Sequence, residues 1–442
     1  MSRALRGALS VGLIAFLVYI WSLRTIVSVD SATNVLQAYS FVRDGDVWLD
    51  EFEPTASHIS FWSYVIGPHR VSWYEPGAAY LATPIVALGE AAGIEPPAVE
   101  SITIVGKVAA ALMTAASVAV VYLMCAGICG HPRAVVVAAL YAFGTSSWPT
   151  SAGGLWQHAP SQLLIALGLF ASLHGQRWGS RAGLPYALAI TVRAPNALFW
   201  LAGLGPLLRQ PARALVYLGW SIAAAVLLVA YDLAAFGTPL DPYTVPPPRG
   251  NVVAGILGNL VAPSRGLLVF SPFLVLAIVG LVHAARRSGV RGTVVRWQIA
   301  AAFAALAVYG SYEEWWAGFT FGNRYLAETL PLLSVGLAVW LRLHRTRRAT
   351  LALGILAAPA IVLNAIGAWL YDWQNWSWEQ LPWPLGDLVW RIDVWQPWWT
   401  LTHAAPRLDL VTLFSLATAV LGAFLLFRLA RTPRPIRGRT AQ

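Results

Sequence analysis

Charged residues are scarce in this chain. Of its 442 residues, only 11% are Asp, Glu, Lys or Arg, and 57% are hydrophobic, whereas soluble domains carry about 25% charged residues. This shortage excludes a soluble globular domain and indicates an integral membrane protein. The apolar runs are continuous rather than alternating, which excludes a water-filled barrel, and several reach the roughly 20 residues that a spanning helix needs. We therefore predict an all-α, polytopic bundle of membrane helices.

Lysine and cysteine are also nearly absent. Lys107 is the only lysine among 30 basic residues, and the arginines lie in short clusters between apolar runs. This is the positive-inside pattern, so the net charge of +10 reflects membrane topology rather than a nucleic-acid partner. Cys125 and Cys129 have no accompanying Cys or His to form a metal site, and we interpret them as small buried hydrophobes.

The distribution of arginine predicts the topology. Arg3 and Arg6 precede the first apolar run, which we interpret as a retained anchor with a cytoplasmic N-terminus. About twelve crossings follow, and both termini are expected in the cytoplasm. The predicted apolar segments are residues 5–27, 76–93, 101–127, 133–147, 159–174, 182–192, 195–208, 213–235, 266–285, 294–311, 325–341, 349–371 and 408–428, within a single domain spanning 1–442.

Two parts of the chain need a special arrangement. The arginines at 177–181 and 209–213 are both expected inside, so residues 182–208 must cross twice or re-enter, with a break at the proline-containing VRAP of 192–195. Residues 76–93 are short, and an inside position of His131 and Arg133 would make them re-entrant; whether they span or re-enter stays open. The first external loop is then 28–75, a second is the Trp-rich 372–405, and the basic tail 429–442 is expected inside the cell.

The first external loop contains seven of the twenty carboxylates: Asp30, Asp44, Asp46, Asp50, Glu51, Glu53 and Glu75. Asp30 directly follows the first span, where a carboxylate can take a proton from a hydroxyl group; the alternative is a helix cap at Asp30 or Ser31. The acids from Asp44 to Glu53 are interpreted as a solvated or cation-binding surface. A helix over 31–43 and an aromatic-rich amphipathic segment at 58–66 are expected to lie along the membrane interface.

Four basic residues are expected at the outer boundary of the membrane, where ionisable side chains are costly and mark functional sites. They are Lys107, Arg193, Arg265 and Arg324. Guanidinium groups there bind phosphate through charge-assisted hydrogen bonds, although each side chain could instead simply reach the lipid headgroups. His158 begins a helix on the same face, and its role as ligand, base or cap neighbour stays open.

Tryptophan is concentrated in the outer segment 372–405, which contains eight of the 22 tryptophans. Two interpretations stand side by side. One is an interfacial aromatic belt, and the other is a stacking surface for sugar rings or an isoprenoid chain.

A series of short motifs resembles the GT-C membrane glycosyltransferases, which use a polyprenyl-phosphate sugar as donor and include the aminoarabinose lipid A transferases and protein O-mannosyltransferases. The motifs cover about three quarters of the chain: Asp30, VSWYEPGAAYLATP at 71–84, GTSSWPTSAGGLWQH at 144–158, VRAPN at 192–196, FGTPLDP at 236–242, SRGLLVFSP at 264–272 and WWAGFTFGNRYLAETLP at 315–331. VSWYEPG is similar to the family's Y-S-K-Y-P-P-G, but Trp73 stands in place of Lys and Glu75 in place of the first Pro.

The resemblance implies an inverting sugar transfer at the outer face of the plasma membrane, serving glycan biosynthesis in the cell envelope. Asp30 would activate an acceptor hydroxyl on a glycan, lipid or protein, and the four basic residues would neutralise the departing polyprenyl phosphate. Further substrate contacts are expected from Arg70, Tyr74, Glu75, His158 and Asn323. A divalent cation, Mg²⁺ or Mn²⁺, is left open, and the other expected partners are membrane lipids.

Two other functions fit part of the pattern. A transporter or flippase for lipid-linked saccharides would need basic and polar groups in both halves of the membrane, whereas this sequence concentrates them at one boundary. A non-catalytic assembly protein could use the aromatic outer segments to bind a partner, but it would give no reason for a membrane-embedded Lys107.

Overall fold

The protein, seen here in a computed structural model, is a helical bundle with one small β-hairpin. The structure describes residues 2–26, 28–52, 62–94, 98–239, 249–372, 376, 381–404 and 409–431, apart from the side chain of residue 176. The helices are α1 Arg3–Trp21, α2 Val29–Arg43, α3 Gly77–Ala91, α4 Val99–Cys129, α5 His131–Phe143, α6 His158–Leu173, α7 Gln176–Gly179, α8 Gly183–Ile190, α9 Ala197–Leu204, α10 Pro211–Phe236, α11 Val252–Val261, α12 Leu267–Phe270, α13 Leu274–Ala285, α14 Val290–Gly310, α15 Leu330–Leu343, α16 Arg347–Trp369, α17 Leu385–Leu388, α18 Gln396–His403 and α19 Leu410–Arg431.

Six helices in the described ranges, α1, α4, α10, α14, α16 and α19, are long and apolar enough to cross a membrane. Each coincides with a predicted apolar segment, which confirms the membrane-type helical bundle. The shorter apolar helices α5, α6, α11 and α13 have 10–17 residues. The predicted segment 266–285 is divided into α12 and α13. The total of about twelve crossings stays a prediction.

The bundle has two ends with different chemistry. α1 and α4 run antiparallel: Lys107, near the start of α4, donates a hydrogen bond to the carbonyl of Ser22 at the end of α1. The arginine clusters of the described loops lie at the end away from Ser22; for example, Arg291 bonds the Leu173 carbonyl where α6 finishes. Since α6, α9, α14 and α15 each have one terminus in an arginine-rich loop, their other termini meet at the opposite end of the bundle.

The predicted break in residues 182–208 is present. α8 ends at Ile190 and α9 begins at Ala197, with a short 3₁₀ turn at Ala194–Asn196 between them. Arg193 is extended, with φ −156° and ψ 124°, and two residues later Pro195 lacks the backbone donor that a continuous helix would use. The chain therefore turns back here and leaves Arg193 at the tip between two short helices.

The segment 28–94 lies across the end of the bundle that carries Ser22. α2 begins at Val29, earlier than predicted, with Ser28 rather than Ser31 as the N-cap. Ser31 completes a reciprocal capping box with Ser28, which stabilises the first turn. α3 begins beside Thr191, and Gly89 near its other end packs on Val105 of α4. Both its ends thus lie at the same end of the bundle, as expected for a helix that does not cross.

The all-α architecture contains one small β-hairpin that was not expected from the sequence. Strands β1 (Ser63–Ile66) and β2 (His69–Ser72) pair antiparallel around a two-residue Gly67-Pro68 turn. Gly67 has φ +61°, a conformation that glycine adopts without a steric penalty. The amphipathic segment expected at 58–66 therefore ends in a strand, and its residues 58–61 lie outside the described ranges.

Two tryptophans of the Trp-rich segment 372–405 bind backbone carbonyls of the fold. Trp376 is completely buried and donates its indole N–H to the Val394 carbonyl at 2.8 Å. Trp395 donates to the Pro263 carbonyl at 2.7 Å. Residues 381–404 thereby pack on the loop before α12. The predicted tail 429–442 overlaps α19 as far as Arg431, and its remainder lies outside the described residues.

Candidate functional site

A cavity of about 220 Å³ opens at the end of the bundle opposite the arginine clusters. Its walls come from five stretches of chain that lie at helix ends: the first turn of α2, the loop before α3, the start of α6, the tip between α8 and α9, and the residues between α14 and α15. Its lining consists of Asp30, Trp73, Tyr74, Glu75, Trp156, Gln157, His158, Arg193, Ala194, Pro195, Tyr312, Arg324 and Tyr325.

Asp30 lies in the first turn of α2 and is bound on both carboxylate oxygens. The Tyr74 hydroxyl donates to Oδ1 at 2.7 Å, and Arg324 Nη1 donates to Oδ2 at 3.2 Å. The guanidinium of Arg324 lies 4.7 Å from the centre of the Trp156 ring, a cation–π distance. Arg324 Nε is buried and has no hydrogen-bond partner among the described residues. The cavity wall therefore contains a guanidinium whose N–H groups are not all used by the described protein acceptors.

A second charged cluster forms the deeper wall. Glu328 Oε1 lies 3.0 Å from Arg193 Nη1 and 3.0 Å from His158 Nδ1. The side chains of Glu328 and His158 are 2% and 4% exposed, so this carboxylate is a buried anion. Arg193 also lies 5.1 Å from the ring centre of Tyr309 and 5.7 Å from that of Tyr325.

Burial and charge act in opposite directions on this cluster. Burial by itself would raise the pKa of Glu328, but the positive charge of Arg193 and the hydrogen bond from His158 outweigh it, so the pKa is lowered. For His158, burial is the largest influence and lowers the pKa; Glu328 opposes this, and Arg193 reinforces it. At neutral pH, the cluster is an ionised Glu328 paired with Arg193 and a neutral imidazole.

Glu75 connects two walls of the cavity. It is buried, accepts the backbone N–H of Ala194 at Oε1 (3.3 Å) and approaches Gln157 Nε2 at 3.4 Å. Two residues on, the N–H of Gly77 donates to the Thr191 carbonyl at 2.7 Å. A Cβ on Gly77 would lie within 2.4–2.6 Å of Thr191 atoms, so only glycine allows this approach. The loop before α3 is thus attached to the tip that carries Arg193.

The structure brings together six of the residues predicted from the sequence: Asp30, Tyr74, Glu75, His158, Arg193 and Arg324. Four others lie outside the lining. Lys107 is buried and bonds the Ser22 carbonyl at the C-terminus of α1, a position where a cation is favoured by the helix dipole. Arg70 lies in β2, where its backbone N–H donates to Asp50 Oδ1 at 2.6 Å.

The other two predicted residues support neighbouring loops. Arg265 is fully buried and donates to the carbonyls of Trp316, Ser264 and Gly318 and to Gln396 Oε1, at 2.6–2.9 Å. Asn323 donates to Asn259 and accepts the N–H of Leu326 at 2.9 Å, which shapes the turn carrying Arg324. The expectation that all four basic residues face one site thus holds for Arg193 and Arg324 only.

Sequence reasoning missed several side chains of the site. Glu328 was not among the predicted site residues. It follows Arg324 by four residues in an apolar stretch, and a carboxylate in such a position marks a functional site as the arginines do. Trp156, Gln157 and Tyr325 lie within the motifs at 144–158 and 315–331, and Tyr312 lies just before the second of them. None stood out individually, because aromatic and amide residues are frequent in these loops.

The described acids farther along the first loop, Asp44 to Glu51, do not line the cavity, and Glu53 lies outside the described residues. Asp50 Oδ2 lies 2.6 Å from His69 Nδ1, and Glu51 accepts a 2.6 Å hydrogen bond from the Ser40 hydroxyl. Asp44 is the C-cap residue of α2. In the described part of the chain, no group of three or more His, Cys, Asp or Glu side chains could hold a metal ion. Cys125 and Cys129 are free and buried, as predicted.

No protein-family model matches the sequence, and no curated protein matches it either. The resemblance to GT-C glycosyltransferases therefore rests on the short motifs alone.

Proposed function

We propose that the protein is a membrane glycosyltransferase that moves one sugar from a polyprenyl-phosphate carrier to an acceptor hydroxyl, with inversion at the anomeric carbon. The observation that carries this proposal is the pairing of Asp30 with Arg324 in one cavity. A proton-accepting carboxylate beside a phosphate-binding guanidinium is what a sugar transfer from a phosphate carrier requires.

The convergence of the motifs supports the same function. The cavity is lined by residues from the Asp30 segment, VSWYEPG, LWQH, VRAP and FGNRY, five of the separate stretches that resemble GT-C enzymes. These stretches are spread from residue 30 to residue 325, so their meeting in one cavity does not follow from sequence proximity. The motif at 264–272 and the described residues 236–239 of the motif at 236–242 contribute no residue to the lining.

The residues suggest how the transfer would proceed. Asp30 would accept the proton of the acceptor hydroxyl as its oxygen attacks the anomeric carbon, and the bond from that carbon to the phosphate oxygen would break. The electron pair would leave with the polyprenyl phosphate, whose charge Arg324 would stabilise through N–H groups not used on Asp30. Stabilising a developing anion in a water-poor site is commonly the largest catalytic contribution.

The distribution of charge supports a site on the outer face. The cavity lies at the end of the bundle opposite the arginine clusters, and such clusters face the cytoplasm in most membrane proteins. We therefore place the cavity on the external side of the plasma membrane, with the arginine-rich ends of α1 and α19 inside the cell.

Deleting the gene tests the proposal in cells. The expected result is loss of one sugar from a surface glycan, lipid or protein, together with accumulation of the corresponding polyprenyl-phosphate sugar. Complementation with the wild-type gene should reverse both changes, and complementation with Asp30→Asn, expressed at the same level, should reverse neither. Unchanged glycans and unchanged lipid-linked sugars in the deletion strain would contradict the proposed function.

A further inference from the structure

His158 occupies a position that the proposed proton transfer to Asp30 does not use. The residue is 3% exposed yet lines the cavity. Its Nδ1 lies 3.0 Å from Glu328 Oε1. Among the residues that the structure describes, Nε2 has no hydrogen-bond partner. An imidazole bound on one side only, at the wall of a cavity, indicates that its second nitrogen serves a ligand.

The partners of His158 determine the position of its proton. An ionised carboxylate can only accept hydrogen bonds, so the ring hydrogen must be on Nδ1, where it is donated to Glu328. Arg193 Nη1, 3.3 Å from the same nitrogen, also donates to Glu328 Oε1 at 3.0 Å. With Nδ1 protonated, Nε2 carries the lone pair of the neutral ring and can accept a hydrogen bond.

The charges around His158 allow Nε2 to accept a hydrogen bond but disfavour its protonation. The single negative charge of Glu328 is already balanced by Arg193, and that of Asp30 is balanced by Arg324. Protonation of Nε2 would therefore place an uncompensated positive charge in a buried cluster, which is unfavourable. Neutral His158 is suited to accept a hydrogen bond and unsuited to act as a base.

We propose that His158 is a binding residue whose Nε2 accepts a hydrogen bond from a hydroxyl group of the sugar being transferred. The proposal rests on the proposed function, since it takes the ligand to be a sugar. It goes beyond that function by naming the residue of the cavity wall that holds the sugar. It also predicts that sugars with a hydroxyl at this wall are preferred over analogues that lack one.

Two substitutions at the same position distinguish the roles of the two ring nitrogens. His158→Asn keeps an N–H near the position of Nδ1, for Glu328, and removes Nε2. His158→Gln can place its amide oxygen near the position of Nε2 but cannot act as a base. The affinities of polyprenyl phosphate, polyprenyl-phosphate mannose and polyprenyl-phosphate arabinose are measured for each purified variant in lipid nanodiscs, with His283→Asn on α13 as an exposed control.

We expect the wild type to bind a sugar-bearing lipid more tightly than bare polyprenyl phosphate. His158→Asn should weaken sugar-lipid binding roughly 3- to 10-fold, as expected for the loss of one neutral hydrogen bond, with binding of the bare lipid unchanged. His158→Gln should retain most of the affinity. Unchanged sugar-lipid affinity in His158→Asn would overturn the role of His158 and leave the proposed function intact. Failure of the wild type to bind any of the three lipids would overturn both.

Discussion

Removing Arg193 should lower the free energy of unfolding, because the buried Glu328 carboxylate beneath the cavity would lose its charged partner. The side chains of Arg193 and Glu328 are 11% and 2% exposed and lie 3.0 Å apart. In Arg193→Met, Glu328 would lose its charged partner and keep its hydrogen bond with the neutral His158. Breaking a buried ion pair by removing one partner costs about 3–5 kcal/mol, because the remaining charge is left uncompensated. We expect a loss of unfolding free energy of about this size at pH 7.

Acidification should reduce this difference. In the wild type the pKa of Glu328 is lowered, so its contribution to stability is present above the unfolded-state pKa and is lost as the pH falls through the folded-state pKa. Without Arg193, burial dominates and raises the pKa of Glu328. The variant then folds with a protonated carboxyl group, and acid favours it. The stability gap between wild type and variant should therefore narrow between pH 7 and pH 4.

The measurement is reversible unfolding in mixed detergent micelles, with the free energy determined at several pH values. Arg348→Met, at an exposed arginine, is the matched control and should change the stability little. The double variant Arg193→Met/Glu328→Gln should recover most of the loss, because no buried charge remains. Arg193→Met protein as stable as the wild type would contradict the stabilising role of the Arg193–Glu328 ion pair. A double variant no more stable than the single one would contradict the uncompensated charge of Glu328 as the cause of the loss.

Four further substitutions test the assignment of individual residues. Arg324→Gln should weaken binding of polyprenyl phosphate at least 10-fold, since hydrogen bonds to charged groups contribute about 1.5–3 kcal/mol; titration with the lipid measures this. Lys107→Met should lower thermal stability without changing that affinity, and a 10-fold weaker affinity would show that Lys107 binds the carrier after all. Arg265→Met removes four hydrogen bonds and leaves the carbonyls of Ser264, Trp316 and Gly318 without this donor, so limited proteolysis should cleave residues 381–404 faster than in the wild type. Gly77→Ala should separate the loop before α3 from Thr191, and the affinity for sugar-bearing lipids should fall while the protein remains folded.

Much of the helical architecture could be predicted, because continuous apolar runs and arginine clusters report directly on membrane burial. The break before Pro195 was also predictable, since proline removes a helical hydrogen bond. The hairpin at 63–72 was missed. Its Gly67-Pro68 turn between β-branched and aromatic residues was a usable signal, but the aromatic content of the segment favoured an interfacial interpretation.

The site itself could be predicted only in part. Asp30 and Arg324 were expected at one site, and they form an ion pair. Lys107 and Arg265 were expected beside them but bond to backbone carbonyls elsewhere. Sequence position indicates the depth of a residue in the membrane, whereas its partner depends on the rotation and packing of each helix. The partnership of Glu328 with His158 joins residues 170 positions apart, which no local pattern contains.

The most direct test of the account is sugar transfer by the purified protein. Wild-type protein in nanodiscs is incubated with polyprenyl-phosphate mannose or arabinose and an extract of surface glycans, lipids and proteins, and the release of free polyprenyl phosphate is followed. The account predicts release coupled to a new glycosidic bond of inverted configuration, and a loss of at least 100-fold in Asp30→Asn, within the range for removal of a general base. Stably folded Asp30→Asn protein that retained the full rate of transfer would contradict it.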